Sequence, residues 1–418
     1  MTTKRSLRTS ILSLGALQGF NFALTLCILP YLTRVFGVEG WGKVVFVQMI
    51  INYLIWMTNW GFYWGGTKDI SKNRNQADVY QKTFWVIWGA QWLLTIIALV
   101  ILVLGICFWT MSTQERNLYI AGAGLIVGGT LTPIWYFNGL EKIREAALLQ
   151  MLVKLLALPF ILLLVKQETD LALYLVINGV CTLLGGLLAI KWLYASGEMT
   201  WHRPSFLEIK SVIYREFSWF RSSMVANLNS SLAPLLLGVL AGPAELGLYN
   251  LADRLRLAVV TALNPIIHAA FPRMSYLFSN HHGHAIALLK KIALGIFALS
   301  VCACLPLLIF PVEILGLMGG KNFESAKTIL LWLAWVPIFS IATSFFLYQV
   351  LIPSDASKGY NQAMLATLVL TALLAYPLEH YFGGIGAAVL VFTSELFAAC
   401  YLGHYIYKNR LLQKAELS

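Results

Sequence analysis

The sequence predicts an all-α, polytopic membrane protein: twelve transmembrane helices in two related six-helix bundles around a central cavity. Three observations predict it. The 418 residues are 59% hydrophobic and 12% charged, with mean hydropathy +0.72, whereas a soluble chain carries about 25% charge. Apolar runs recur along the whole chain, and the hydrocarbon core takes about 20 residues to cross. The 30 lysines and arginines fall mostly in alternate loops. Half the usual charge cannot cover a soluble surface of this size, which excludes a cytosolic enzyme and a disordered chain and argues against a secreted one. Unbroken apolar runs in place of ten-residue alternation exclude a barrel.

The spans follow in order at 11–33, 41–64, 83–109, 117–137, 145–165, 171–194, 217–241, 249–271, 288–310, 326–350, 361–382 and 384–406. Lys4, Arg5 and Arg8 precede the first run as in a signal peptide, but no small-x-small site ends it, so it reads as a retained helix. Gly37–Gly42 turns into the second span, and Lys68 and Lys82 bracket the loop before the third. Arg116 and Lys142 bound the fourth, and Lys166 follows the fifth. After the sixth comes the longest connection, 196–216, with Gly197 and Pro204. Gly242–Gly247 separates the seventh and eighth spans, which carry the most polar residues. The segment 311–325 reads as an outer loop bearing Glu313, Lys321 and Glu324, and Phe382, Gly383 and Gly384 alone divide the last two spans.

With the N-terminus placed in the cytoplasm, 22 basic residues lie on the cytoplasmic side. Six (Arg34, Lys43, Arg116, Lys166, Lys321, Lys327) lie opposite, and Arg254 and Arg256 fall near the start of a span. That asymmetry orients both termini to the cytoplasm and requires an even span count. The net charge of +11 is thereby topological and calls for no nucleic-acid partner.

Residues 1–195 form the expected N-terminal six-helix lobe, 196–216 a cytoplasmic linker and 217–418 the C-terminal lobe. Gly37-x-x-x-x-Gly42 and Gly242-x-x-x-x-Gly247 repeat at an offset of 205, which also carries Lys68 onto Arg273. Six spans per copy make this a parallel repeat, an architecture of secondary transporters.

Polar groups inside spans are costly and mark function. The candidates are Arg34, Arg254 and Arg256, with Asp253, Glu395 and Glu379, the last placed at an interface near a helix end. Amides gather in the helices that open each half: Gln18, Asn21, Gln48, Asn52, Asn59, Asn227, Asn229 and Asn264. We read spans 1, 2, 7 and 8 as lining a hydrated cavity, with the alternative that the amides join helices. Asp253 and Arg256, at i,i+3, can pair locally. The six cysteines sit in spans as packing residues without disulfides, and the histidines 281, 282 and 284 read as a polar loop, not a metal site. The Gly128-Gly129 and Gly185-Gly186 pairs suggest close helix packing. No Walker motif and no cofactor fingerprint appear.

Leu29-Pro30-Tyr31-Leu32-Thr33-Arg34-Val35-Phe36-Gly37-Val38-Glu39-Gly40-Trp41-Gly42 resembles the "PYLxRVLGxEGxG" signature of Wzx-type flippases. Gly61-Phe62 through Thr67-Lys68-Asp69-Ile70 is similar to "GFNLxATREI", Thr132 through Lys142 to "TPxWFFQGxEK", and Leu240 through Arg254 to "LGPxxxGYYxxAEK"; Phe271-Pro272-Arg273 also fits. The resemblance covers about residues 5–410. Asn59 stands where the family often has an acid, and Asn138 where it has glutamine. The resemblance implies the multidrug/oligosaccharidyl-lipid/polysaccharide exporter superfamily, with twelve helices in two lobes. It implies a flippase moving undecaprenyl-diphosphate-linked oligosaccharide repeat units, for O-antigen or other lipopolysaccharide and polysaccharide biosynthesis, across the bacterial cell inner membrane. A polysaccharide polymerase and a chain-length regulator are candidate partners beside membrane lipid.

A sugar-diphosphate headgroup needs a wet, cationic, hydrogen-bonding path while its lipid tail stays in the bilayer. Arg34, Arg254 and Arg256 are the expected partners of the diphosphate or of acidic sugars, and Asn21, Asn52, Asn59, Asn227 and Asn229 the expected sugar partners. Trp56, Trp60, Tyr63 and Trp64 can stack on sugars or form an interfacial belt. Asp253 and Glu395 are the candidates for coupling to an ion gradient in an alternating-access cycle. The alternatives are a multidrug/cation antiporter of the same superfamily and a membrane-embedded polymerase.

Overall fold

The structure is a computed structural model, and the residues it describes are 7–280 and 282–412; the side chains at 7–23, 25, 226, 279 and 282 lie outside that description. The described residues form helices and short turns, with no strand among them. Among the described residues, nine helices are long and apolar enough to cross a bilayer, or ten with the bent pair Phe206–Val225 and Asn227–Leu240 taken as one. Two of these, Leu26–Lys72 and Lys358–Lys408, are far too long for one crossing, since 51 residues of helix span about 77 Å and the hydrocarbon core about 30 Å.

Both are broken at a glycine. Gly37 has φ 65° and ψ −174°, and Gly383 has φ 54° and ψ −133°. A side chain is strained in that region of backbone space, and glycine is not. Dividing the two long helices there gives twelve spans, each coinciding with a predicted one. The second break is a full reversal. Thr371 and Ser394, 23 residues apart, share a hydrogen bond of 2.9 Å, whereas a straight helix would hold them about 35 Å apart.

The chain forms two compact units, the first containing residues 1–28 and 43–224, the second 29–42 and 225–418. The first contains part of α1 (Leu7–Asn59), then α2 (Phe62–Lys72), α3 (Ala77–Phe108), α4 (Thr113–Leu131), α5 (Ile134–Gly139), α6 (Ile143–Leu164), α7 (Leu171–Ala195) and the opening half of α8 (Phe206–Leu240). Ser112 and Glu115 make a reciprocal capping box that starts α4. Pro133, lacking an N–H and restricting the residue before it, separates α4 from α5, so the fourth span is a broken helix. The Trp135-Tyr136-Phe137 run of α5 is buried with Phe84, Trp85, Ile87 and Leu193 in an aromatic core. Helices α4 and α7 approach through small residues: a Cβ on Gly128 would lie 3.0 Å from Leu183 N, and one on Gly186 would lie 2.4 Å from Leu131 Cβ. The predicted glycine contacts are therefore present.

The segment read as a linker is built into this unit. Tyr136 Oη donates to Glu198 O at 2.5 Å and Trp85 Nε1 to Thr200 O at 2.6 Å. Met199 is buried in the same core, and Ser205 and Glu208 cap α8 reciprocally.

The second unit holds Leu29–Gly42 of α1, the rest of α8, α9 (Gly242–Asn280), α10 (His282–Ile309), α11 (Pro311–Gly319), α12 (Lys327–Leu333), α13 (Val336–Phe346) and α14 (Lys358–Lys408). Its core gathers Leu263, Ile267, Ile341, Phe345, Leu351 and Leu402. The segment 311–325, expected to be a loop, is helical: α11 and a 3-10 turn at Lys321–Ala326. Pro311 at the start of α11, where its missing N–H costs nothing, supplies a start signal. Of the cysteines, Cys181 and Cys304 are buried, whereas Cys27, Cys107, Cys302 and Cys400 are exposed at the protein surface, so the packing role holds for two of six. His284 lies in α10 rather than in a loop; His281 and the side chain of His282 lie outside the described residues.

The two G-x-x-x-x-G turns meet inside this second unit. A Cβ on Gly42 would lie 1.7 Å from Pro243 O, and one on Gly247 would lie 2.2 Å from Val38 O. Gly42 corresponds to Gly247, and Val38 to Pro243, at the repeat offset. The contact is thus its own mirror under exchange of the repeats, as a local two-fold relation requires.

Candidate functional site

Helix α9 arranges the charged residues of the second unit by helical period. Tyr249, Asp253 and Arg256 stand at i, i+4 and i+7, hence on one face; Asn250 and Arg254 stand at i and i+4 on another. Arg256 Nε donates to Asp253 Oδ1 at 2.6 Å, the two side chains being 12% and 15% exposed. The expected i,i+3 pair is therefore formed. Glu395, from the second arm of α14, lies within electrostatic reach of Arg256 and beside Ser340 of α13. One guanidinium thus pairs with Asp253 while a second carboxylate, from a different helix, lies within its field, and Tyr249 is buried next to them. A pair so enclosed is held by geometry, because either charge alone would be stranded away from water.

Arg254 points elsewhere. Its Nε donates to Asn250 Oδ1 at 3.0 Å, and its guanidinium lies 5.4 Å from the Trp41 ring centre, a cation–π distance. Arg34 extends to the C-terminus of α11, where Nη2 donates to Leu317 O at 2.8 Å; Thr33 Oγ1 donates to Met318 O at 2.8 Å. Carbonyls at a helix C-terminus lack intrahelical donors and carry partial negative charge, so Thr33-Arg34 caps α11. Arg34 is nevertheless exposed.

The predicted amides do not form one cluster. Asn59 Oδ1 accepts from Gln91 Nε2 at 3.5 Å, and Gln91 Oε1 accepts from Trp135 Nε1 at 3.0 Å, a joint between helices. Asn52 is exposed in the first unit. In the second, Asn229 Nδ2 contacts Met364 Sδ at 3.4 Å and Asn227 O accepts from Ser231 Oγ at 2.6 Å. The side chain of Asn21 lies outside the described residues.

Of the four aromatics, Trp60 is tied down: Nε1 donates to Ile213 O at 3.0 Å and the ring stacks on Phe220 at 4.0 Å. Tyr63 and Trp64 are exposed, and Trp64 stacks toward exposed Trp219 at 6.5 Å with the ring planes 27° apart. Beside them Arg215 bridges Asp69 at 2.5 Å and buried Glu216 at 2.7 Å. A second polar junction centres on Glu198, which accepts from Lys142 at 2.5 Å and Tyr80 at 2.9 Å. Burial disfavours ionising Glu198, but the bonds from Lys142 and Tyr80 and the lysine charge outweigh it and hold the carboxyl below its ordinary range.

Sequence reasoning missed Glu379 in one respect. Placed at an interface by its nearness to a helix end, it is fully buried, because the reversal at Gly383 folds the second arm of α14 over it. Gly386 comes so close that a Cβ there would lie 3.1 Å from Glu379 N. Trp41 and Tyr249 were also missed; the alternation of Tyr249 with Asp253 and Arg256 on one face was the available signal. Among the described residues no group of three or more His, Cys, Asp or Glu side chains is arranged to hold a metal ion.

Residues 7–278 match the family described as "Polysaccharide biosynthesis protein". The protein called "Putative O-antigen transporter" from Escherichia coli (strain K12) is 26% identical over 415 residues, covering 98% of this chain and 99% of its own length. That of the same name from Shigella dysenteriae is 24% identical over 406 residues, covering 95% and 99%. Among solved structures, a lipid II flippase, MurJ, in an inward closed conformation superposes with a TM-score of 0.73 at 12% identity, covering 97% of this chain and 90% of its own. An inward-facing multidrug resistance transporter of the MATE family gives 0.65 at 12% identity, covering 94% and 96%. These two likenesses show the fold.

Proposed function

We propose a transport function from one premise: this chain belongs to the polysaccharide biosynthesis protein family. It is a Wzx-type flippase that carries undecaprenyl-diphosphate-linked oligosaccharide repeat units from the cytoplasmic to the periplasmic leaflet of a bacterial inner membrane, with both termini cytoplasmic. It performs transport, not covalent catalysis. The observation that carries this reading is the end-to-end match to two proteins called O-antigen transporters, spanning 98% and 95% of the chain.

The chemistry of the residues agrees with it. Arg34 bonds to a carbonyl and keeps a charge suited to diphosphate, and Arg254, which donates to the Asn250 amide and lies against Trp41, supplies a second guanidinium in the same unit. Arg256 is engaged by Asp253, so it acts with the coupling group: protonating Asp253 or Glu395 would release part of its charge toward substrate. Asn21, Asn52, Asn59, Asn227 and Asn229 supply sugar-binding donors and acceptors along the path, and exposed Tyr63 and Trp64 supply stacking faces. The two lobes open alternately to either side, driven by a proton or sodium gradient. A polymerase and a chain-length regulator receive the product.

The test is a deletion strain. Loss of the protein should leave lipid-linked repeat units on the cytoplasmic leaflet, and the intact gene should clear them. Arg34→Ala should impair export at normal protein levels; full export would remove Arg34 from the path. Flux in sealed vesicles that ignores collapse of both gradients would remove the coupling. The MATE-like fold also suits a drug extruder, which a changed drug susceptibility without stalled repeat units would favour.

A further inference from the structure

Glu379 lies in the first arm of α14, four residues before the reversal at Gly383, with none of its surface exposed. Both of its carboxyl oxygens are buried and neither has a hydrogen-bond partner. A carboxylate anion in that position would have lost its hydration and gained nothing for it. The neutral acid avoids most of that loss.

The groups around it favour a proton over a metal cation. Tyr249 of α9 is the titratable side chain that faces it. Glu245, at the start of α9, is engaged at the reversal itself, where its Oε2 accepts from Gly384 N at 2.8 Å. Asp253 and Arg256 continue along the Tyr249 face but bond to each other. From α12, the contact at the reversal is apolar, Ile329 against Gly384. A sodium or divalent ion takes several oxygen ligands, and no group of three acidic or other metal-binding side chains gathers among the described residues. A proton needs one oxygen.

We propose that Glu379 is a proton-binding site of the second unit, distinct from the Asp253–Arg256–Glu395 group, loaded in this conformation and exchanging its proton during transport. The step balances simply: the carboxylate takes one proton from water when the α14 hairpin parts from α9, and returns it to water at a later opening. The exchange part rests on the flippase reading given above; the proton-binding part does not.

Two measurements test it. In the first, the full-length protein in lipid nanodiscs is studied by difference infrared spectroscopy between neutral and alkaline pH. Wild type should show a carboxylic-acid C=O stretch at neutral pH that Glu379→Gln lacks, Glu379→Asp shifts in frequency and Glu395→Gln retains. A wild-type spectrum without the band, or a Glu379→Gln spectrum that keeps it, overturns the proposal. So does its disappearance at neutral pH on adding sodium chloride, which would mark a cation site. In the second, the variants are expressed in the deletion strain. Glu379→Gln, the same size and permanently neutral, should reach the membrane at wild-type level while export falls to background. Wild-type export by Glu379→Gln across external pH would make the acid a packing group and overturn the exchange. If wild type itself restores no export, the flippase reading fails, and the infrared result still decides the proton.

Discussion

Replacing Gly42 with alanine tests the reciprocal contact between the two turns. The new methyl would lie 1.7 Å from Pro243 O and 2.5 Å from Pro243 C. Carbon and carbonyl oxygen settle no closer than about 3.3 Å, so the two backbones must part by well over an ångström. No side chain can rotate away, because the obstructing atoms are main chain. Overpacking a close contact costs about 1–3 kcal/mol, sometimes more, and alanine's better helix propensity returns at most about 1 kcal/mol. We expect Gly42→Ala to lose about 2 kcal/mol, at the upper part of that range after the offset. Gly247→Ala, with its methyl 2.2 Å from Val38 O, should lose a similar amount. The double variant should cost less than the two losses together, since one separation relieves both contacts. The control is Gly295→Ala in α10, where nothing lies within 4 Å of the new methyl and about 0.5–1 kcal/mol should be gained. Denaturation of the full-length protein in a fixed lipid or detergent, followed by tryptophan fluorescence, reads all four. Wild-type stability for Gly42→Ala and Gly247→Ala, or an equal loss for Gly295→Ala, would refute the contact.

Arg256→Gln should destabilise more than Asp253→Asn, because it strands two carboxylates, whereas Asp253→Asn leaves Arg256 with Glu395. Breaking an enclosed pair costs about 3–5 kcal/mol, and equal losses in the same assay would remove Glu395 from the group. Glu198, held below its ordinary range, stabilises the fold fully above the unfolded glutamate pKa of about 4.3, and that contribution is lost as pH falls through its lower folded value. Melting temperatures followed from roughly pH 6 to pH 3 should therefore fall less steeply for Glu198→Gln than for wild type; identical slopes would count against the junction. Trp41→Leu should weaken the hold on Arg254 by about 0.5–2 kcal/mol, read as the coupling in a double-mutant cycle with Arg254→Gln.

The spans were legible because composition and apolar run length report directly on what the bilayer demands. The position of the two breaks is legible as well, since Gly37 opens a G-x-x-x-x-G turn and Gly383 divides the last two apolar runs. The Asp253–Arg256 pair followed from its spacing alone. What escaped were relations set by tertiary contact. Glu379 near a helix end reads as interfacial until the second arm of α14 covers it. Residues 196–216 read as a linker because Gly197, Pro204 and the basic residues around them hide the buried Met199 and the carbonyls that Tyr136 and Trp85 grip. The bond from Gln91 to Asn59 joins residues 32 apart, a contact that local spacing does not carry. The helix at Pro311–Gly319 reads as a loop in the sequence because its nine residues are too few to cross the bilayer.

The assignment of Leu29–Gly42 to the second unit means that the two compact units are not the two halves of the gene. If the chain descends from a doubled ancestor, fusion exchanged a piece of one copy for support in the other, much as swapped dimers do. Expressed alone, a polypeptide starting near residue 225 would leave Gly247 facing a missing Val38 and the end of α11 without Thr33 and Arg34. Co-expression with residues 1–224 would supply both. Independent drift of the two turns is likewise barred, since any bulk added to one must find room against the other.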